Sequence, residues 1–482
     1  MSQTQLPEID TKNVARHKGD FISRGRAALL ILLVGLGSGL AIGASVALSP
    51  LLNSLMGQYN ASLAEVSWTL TIASIAGAVA AVILPRLSDS SGDKRMLLVG
   101  ALALVVGALL CAIIDNLFGL IVGQALIGFG GISSFIGVTM VRRQLKSTYA
   151  APAVAALTVG SGVGLAVGYV IGGLALEVLT LQQFFWANAG VFALFLIALV
   201  VFVPKDHHED VDPLVRAGSL GTILLSTAVV LLLLAFAQGP AWGWTDWRIL
   251  LIAAAAVVVA IVWVAHERKT TMPVFDRELI KNPAVRGVVA GLFLINAVFF
   301  IWLVLAPTFL QMPPELGGYG LGLSPLQAGL AMLPEAAAHV IGVTLAANGL
   351  KRGRGVLGTG IGALAAAAGL AWLAFFQGGM LEVIIGFVIF GFGFGTFGTS
   401  AIGVLQLAVP ESRAGMAMSL TAVTTSLGAG FGAPVAAVVL ASFSLPDGPP
   451  SVDGFLPAYL VAAGLAIIAG VVALDAYRRT RT

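Results

Sequence analysis

Two side chains draw attention because of where they lie. Glu335 and His339 sit four residues apart inside an apolar stretch that runs from about residue 325 to 348. That spacing puts both on one helical face. About ten residues at a rise of ~1.5 Å each carry Glu335 toward the middle of a bilayer. Ionisable groups at that depth are costly and mark proton or ion paths. A carboxyl and an imidazole side by side can trade a proton, which makes the pair the candidate for proton coupling. The plainer alternative is a hydrogen-bonded polar pair that fixes the helix beside Pro334. Of the 23 acids, nearly all others fall in loops or at helix ends, and Glu65, Asp115, Glu177 and Glu382 are placed near the outer surface.

Other chemistries find little support. His207-His208-Glu209-Asp210 offers metal-ligating atoms but reads as a solvated loop. The single cysteine, Cys111, excludes an intrachain disulfide framework and a cysteine-based metal cluster. Glycine-rich runs lie inside apolar stretches and lack the Lys-Ser/Thr ending of a phosphate loop. Acids are scattered singly rather than grouped at a membrane face, so an enzyme is set aside. No ring of charge marks a channel filter. No cofactor, metal or nucleic-acid partner is expected.

The elements that must hold Glu335 are membrane helices. Of the 482 residues, 58% are apolar and 10% are charged, whereas soluble domains carry roughly 25% charge. At ~20 residues per crossing, the apolar content sets a ceiling near fourteen spans. They are placed near 27–50, 66–85, 96–114, 117–141, 150–177, 184–203, 218–238, 249–266, 287–310, 325–348, 356–376, 383–407, 416–443 and 456–476. Runs this long cross as helices. With the N-terminus inside, every Lys and Arg of the 26 except Arg248 falls on the cytoplasmic side, which sets both termini there. The longest interior loops, 204–217 and 267–286, bracket two spans. The layout is therefore a cytoplasmic tail (1–26), a six-helix bundle (27–203), a linker with two extra helices (204–286), a second six-helix bundle (287–476) and a short tail (477–482). Repeated halves with a path between them are a common transporter plan.

Several motifs carry a family resemblance. Leu84-Pro85-Arg86-Leu87-Ser88-Asp89-Ser90-Ser91-Gly92-Asp93-Lys94-Arg95 resembles the signature loop between the second and third spans of the major facilitator superfamily. Ser324-Pro325-Leu326-Gln327-Ala328-Gly329-Leu330-Ala331-Met332-Leu333-Pro334, Phe309-Leu310-Gln311 and Val409-Pro410-Glu411-Ser412-Arg413-Ala414-Gly415-Met416-Ala417 are similar to its fourteen-span drug:proton antiporter branch. The fifth span, with Gly160-Ser161-Gly162-Val163-Gly164 and Gly168-Tyr169-Val170-Ile171-Gly172-Gly173, resembles that branch's antiporter motif. The resemblance implies an all-α fold of two six-helix bundles and two inserted helices, alternating access, and export of hydrophobic or amphipathic molecules in exchange for protons. Uncoupled or differently coupled transport of a specific metabolite or lipid is the alternative.

The resemblance also sets expectations for individual residues. Arg86, Asp89, Gly92, Lys94 and Arg95 would form a cytoplasmic gate loop. Gly164, Gly168, Gly172 and Gly173 would form a smooth face for a partner helix. Gln124, Asn296, Phe390 and Phe394 are candidates to line a cavity, the phenylalanines coming from Phe390-Gly391-Phe392-Gly393-Phe394-Gly395-Thr396-Phe397. The departures matter as well. Pro85 stands where the family has Gly, and Tyr169 where it has Pro. Ala41 and Gln124 stand where it has Asp and Arg, so its usual proton site does not carry over. The expected setting is the plasma or inner membrane, as a monomer in contact with lipid, substrate and protons.

Overall fold

The structure, a computed structural model, describes residues 24–144, 149–204, 219–270, 279, 281–317, 319–409, 414–443 and 452–478. Lys12, Arg16, Lys18, His207-His208-Glu209-Asp210 and Arg413 lie outside these residues, as does most of the 271–280 segment. The described chain is helical, without a strand.

The first half comprises Arg24–Val46, Leu63–Ser91, Asp93–Ile113, Leu117–Gly131 continued by Ser133–Gln144, Ala150–Val178 and Leu181–Phe202. Two inserted helices follow, Ser219–Trp242 and Trp247–Glu267. The second half comprises Pro283–Gln311, Pro325–Lys351, Gly355–Phe375, Met380–Ala408, Ala414–Ala441 and Val452–Arg478. Thirteen of the described helices are long and apolar enough to cross a membrane, and Ser219–Trp242 contributes a fourteenth apolar helix. They are called the first to fourteenth spans below.

Local chemistry starts these helices where the sequence directs. Ser62 with Glu65, Thr180 with Gln183 and Ser324 with Gln327 each form a capping box, in which side chain and backbone satisfy each other's free donors. Asn116, Asp246 and Asn282 cap three more. The second span overruns its expected end. It continues through Pro85 to Ser91, and Gly92 alone separates it from the third. At φ 96° this residue needs glycine. The expected 86–95 loop is therefore almost entirely helix.

Within the first half, the first span packs on the fifth, the second on the fourth, and the third on both the fourth and sixth. Within the second half, the ninth packs on the thirteenth and fourteenth, the twelfth on the tenth and eleventh, and the eleventh on the fourteenth. Two seams join the halves: second against thirteenth, and fifth against tenth. The seventh span packs on both the second and the thirteenth, covering one seam, while the eighth is only 11% buried at the periphery. Leu194, Ile261, Leu364 and Leu381 are each more than half exposed. That apolar outer surface suits hydrocarbon rather than water.

Two interior prolines explain how the halves are tied. A proline removes the donor that the carbonyl four residues earlier would use. Pro85 thereby frees the Ala81 carbonyl, which accepts from Ser419 Oγ of the thirteenth span at 3.0 Å. Pro307 frees the Leu303 carbonyl, which accepts from Ser49 Oγ at the end of the first span at 2.6 Å. Each freed acceptor is met by a serine from the other half.

Candidate functional site

The tenth span begins at a Ser324 cap, whose hydroxyl donates to Glu177 Oε1 of the fifth span at 2.7 Å. Below that contact the two helices run together because glycine is placed on both. Gly329 lies against the Tyr169 carbonyl, and Gly173 against the main chain of Pro325 and Leu326. A side chain at either position would part the seam.

Glu335 is completely buried and His339 nearly so. Tyr169 Oη, also fully buried, donates to Glu335 Oε2 at 3.3 Å across the seam. The other carboxylate oxygen, Oε1, and His339 Nδ1 are buried without a hydrogen-bond partner. The glutamate thus pairs with a tyrosine of the opposite half instead of with His339. Sequence reasoning noted Tyr169 only as a departure from a motif. Its role was hidden because the two residues stand 166 positions apart in the chain.

The surroundings are aromatic. The His339 ring lies 5.3 Å from that of Phe394, which stacks on Phe299 at 4.5 Å. Trp302 meets Tyr169 at 6.4 Å, Phe387 at 5.1 Å, Phe390 at 5.2 Å and Phe299 at 6.0 Å. Its Nε1 is buried without a partner. The alternating pattern of the twelfth span now has a reason. Gly391 and Gly395 press against the main chain of Glu335 and His339, while Gly393 faces Ala366 of the eleventh span.

The other expected residues are more dispersed. Phe390 is fully buried within the second half, whereas Phe394 is only partly enclosed. Gln124 is buried with both amide atoms unpartnered. Ala41 faces Gly131 of the same fourth span. Asn296 donates to the Leu292 carbonyl at 2.8 Å and touches Gly428 of the thirteenth span. Gly164, Gly168 and Gly172 face the first span at Gly39, Gly43 and Ala47; Gly173 alone of the four turns toward the other half.

At the second-to-third turn, Arg86 Nη1 donates to Thr222 Oγ1 of the seventh span at 2.9 Å. Lys94 Nζ donates to the Val203 and Val200 carbonyls at 2.5 and 3.0 Å, supplying positive charge to the C-terminal end of the sixth span. Arg95 is exposed, and the Asp89 side chain lies outside the described residues. At the opposite end, Gln311 Nε2 donates to the Pro50 carbonyl at 2.7 Å, beside the Ser49 contact. Among the described residues, no group of three His, Cys, Asp or Glu could hold a metal.

Two helical bundles that meet along seams, with Glu335 buried where the fifth and tenth spans meet, have the architecture of a membrane transporter. The profile of the Major Facilitator Superfamily matches residues 28–433, and the chain belongs to that family. It is similar to the tetracenomycin C resistance and export protein of Streptomyces glaucescens, 26% identical over 80% of this chain and 70% of that one. It is also similar to the drug efflux pump JefA of Mycobacterium tuberculosis, 25% identical over 87% of this chain and 81% of the relative. Among solved structures, a peptide transporter POT in complex with sulfate matches with a TM-score of 0.70 at 15% identity, covering 98% of this chain and 99% of the other. At that identity the likeness concerns the fold.

Proposed function

We propose that this transporter exports hydrophobic or amphipathic small molecules in exchange for protons, with Glu335 as the proton-carrying group. The observation that carries the reading is a fully buried carboxylate at the seam between the halves, with one oxygen lacking any partner. In alternating access, proton and substrate must differ in affinity for the two arrangements of the halves, or neither can drive the other. A group on the tenth span facing the fifth is placed to meet that condition, because its surroundings change whenever the seam does. His339, one turn on, is the second group that can take part. The aromatic cluster beside it supports a lipophilic cargo, as do relatives named for drug export.

The protein is taken to work as a monomer in the plasma or inner membrane with both termini in the cytoplasm, the sense in which Lys and Arg are retained. The turn with Arg86, Asp89, Gly92, Lys94 and Arg95 then serves as the cytoplasmic gate. The test is expression in a drug-sensitive host with a broad panel of lipophilic compounds, then reconstitution with a compound to which resistance was gained. Glu335→Gln is expected to abolish accumulation driven by a pH gradient while leaving energy-independent exchange. Full proton-driven transport by that variant overturns the role of Glu335. Unchanged susceptibility across the panel, with transport of one polar metabolite, overturns the substrate class.

A further inference from the structure

The polar contact at Glu335 comes from the other half of the molecule, and the residue that makes it is fixed by the seam itself. Tyr169 touches Gly329 of the tenth span with its own carbonyl, while its ring meets the edge of Trp302 on the ninth. Its hydroxyl reaches Glu335 only while the fifth span lies against the tenth. We infer that Tyr169 is the positioning residue for the proton on Glu335: it donates to the carboxylate when the seam is closed and withdraws when the seam parts.

This rests on the reading of Glu335 as the proton carrier and adds how the movement of the halves reaches it. A donor to a carboxylate favours its charged form, and loss of the donor favours the protonated form. Closing the seam therefore adds a donor that steadies the carboxylate, and parting it leaves that position on Oε2 to water or substrate. The step is simple protonation, carboxylate plus proton to carboxylic acid, with nothing else consumed.

Few other groups can contribute. Glu335 shares the tenth span with His339 and with Lys351 at the helix end. The fifth span brings Tyr169, with Glu177 at its far end; the ninth brings Arg286 near its start and the twelfth Glu382 near its start. The eleventh span carries no ionisable side chain. Among the described residues of these spans, only Tyr169 and His339 lie at the level of Glu335, and only Tyr169 belongs to the opposite half.

The experiment uses the full-length protein in lipid and needs no substrate, because the probe is the proton. Infrared difference spectra across a pH titration follow the carboxyl C=O band, assigned to Glu335 by its loss in Glu335→Gln. Tyr169→Phe removes one oxygen and is expected to move the midpoint of that band to higher pH by about one unit. Site-specific 3-fluorotyrosine at position 169, a stronger donor, is expected to move it to lower pH, and it keeps the test open should the phenylalanine variant fold poorly. An unmoved midpoint in either folded variant overturns the inference and makes Tyr169 a packing residue. Absence of any titrating band lost in Glu335→Gln overturns instead the underlying reading of Glu335, so the two failures are distinct.

Discussion

A carboxylate can accept about four hydrogen bonds, and the structure shows Glu335 accepting one. A group left so sparsely partnered in a buried place is poorly suited to a purely structural role, since structure is better served by satisfied polar groups. His339 stands a turn away with no hydrogen bond to it, so the two hydrogen-bonding environments are separate. His339→Gln is therefore expected to move the pH midpoint of proton-driven transport less than Tyr169→Phe does, measured side by side in liposomes. An equal or larger shift would return the imidazole to the centre of the mechanism. Trp302 bears the packing around the site, being fully buried among four rings. Trp302→Ala should destabilise the protein by about 3 kcal/mol or more, read as a lowered melting temperature in detergent, with Trp302→Phe much milder. The sequence exposed Glu335 and His339 because ionisable residues inside spans are rare. It concealed Tyr169 and Trp302, because an aromatic residue in an apolar helix looks like filler until its neighbours are known.

At the scale of the helix, the glycine pattern separates into two uses. On the fifth span Gly160, Gly164, Gly168 and Gly172 form one stripe against the first span, and Gly173 serves the tenth. Membrane helices gain little from hiding apolar surface from lipid, so close van der Waals contact of this kind holds them together. Gly164→Ala would drive a methyl group into the Gly39 carbonyl, a clash of the kind that costs about 1–3 kcal/mol. Gly190 of the sixth span has nothing within 4 Å of where a side chain would begin, and alanine there should be neutral or slightly stabilising. Thermal melts of the two variants test this contrast, and equal melting temperatures would remove the packing argument. Span positions were legible because hydropathy and loop charge both act locally along the chain. Helix partners were not, because many apolar faces are chemically alike and only small residues betray a close approach. Likewise the sequence places the end of the second span near residue 85, yet the helix continues through Pro85, and Ser419 satisfies the carbonyl that the proline frees.

For the molecule as a whole, the ties between halves lie at different levels along the helices. Ser49 to Leu303 and Gln311 to Pro50 join the ends of the first and ninth spans, which loop charge assigns to the outside. Ser419 to Ala81 joins the second and thirteenth spans farther toward the end that loop charge assigns to the cytoplasm. The seventh span packs on the second-thirteenth seam, so that covered seam is better placed to act as a pivot than the fifth-tenth seam, where Tyr169 meets Glu335. Opening outward must break the Ser49 and Gln311 contacts. At about 1 kcal/mol for each hydrogen bond, removing both should favour the outward-open arrangement by roughly 30-fold. Spin labels at Asn60 and Leu381, on a Cys111→Ala background, would report the separation of the outer ends by pulsed electron paramagnetic resonance. Ser49→Ala combined with Gln311→Ala is expected to raise a longer-distance population, whereas Ser419→Ala should not. A distance distribution left unchanged by the double variant would mean that these two hydrogen bonds do not hold the outer end shut.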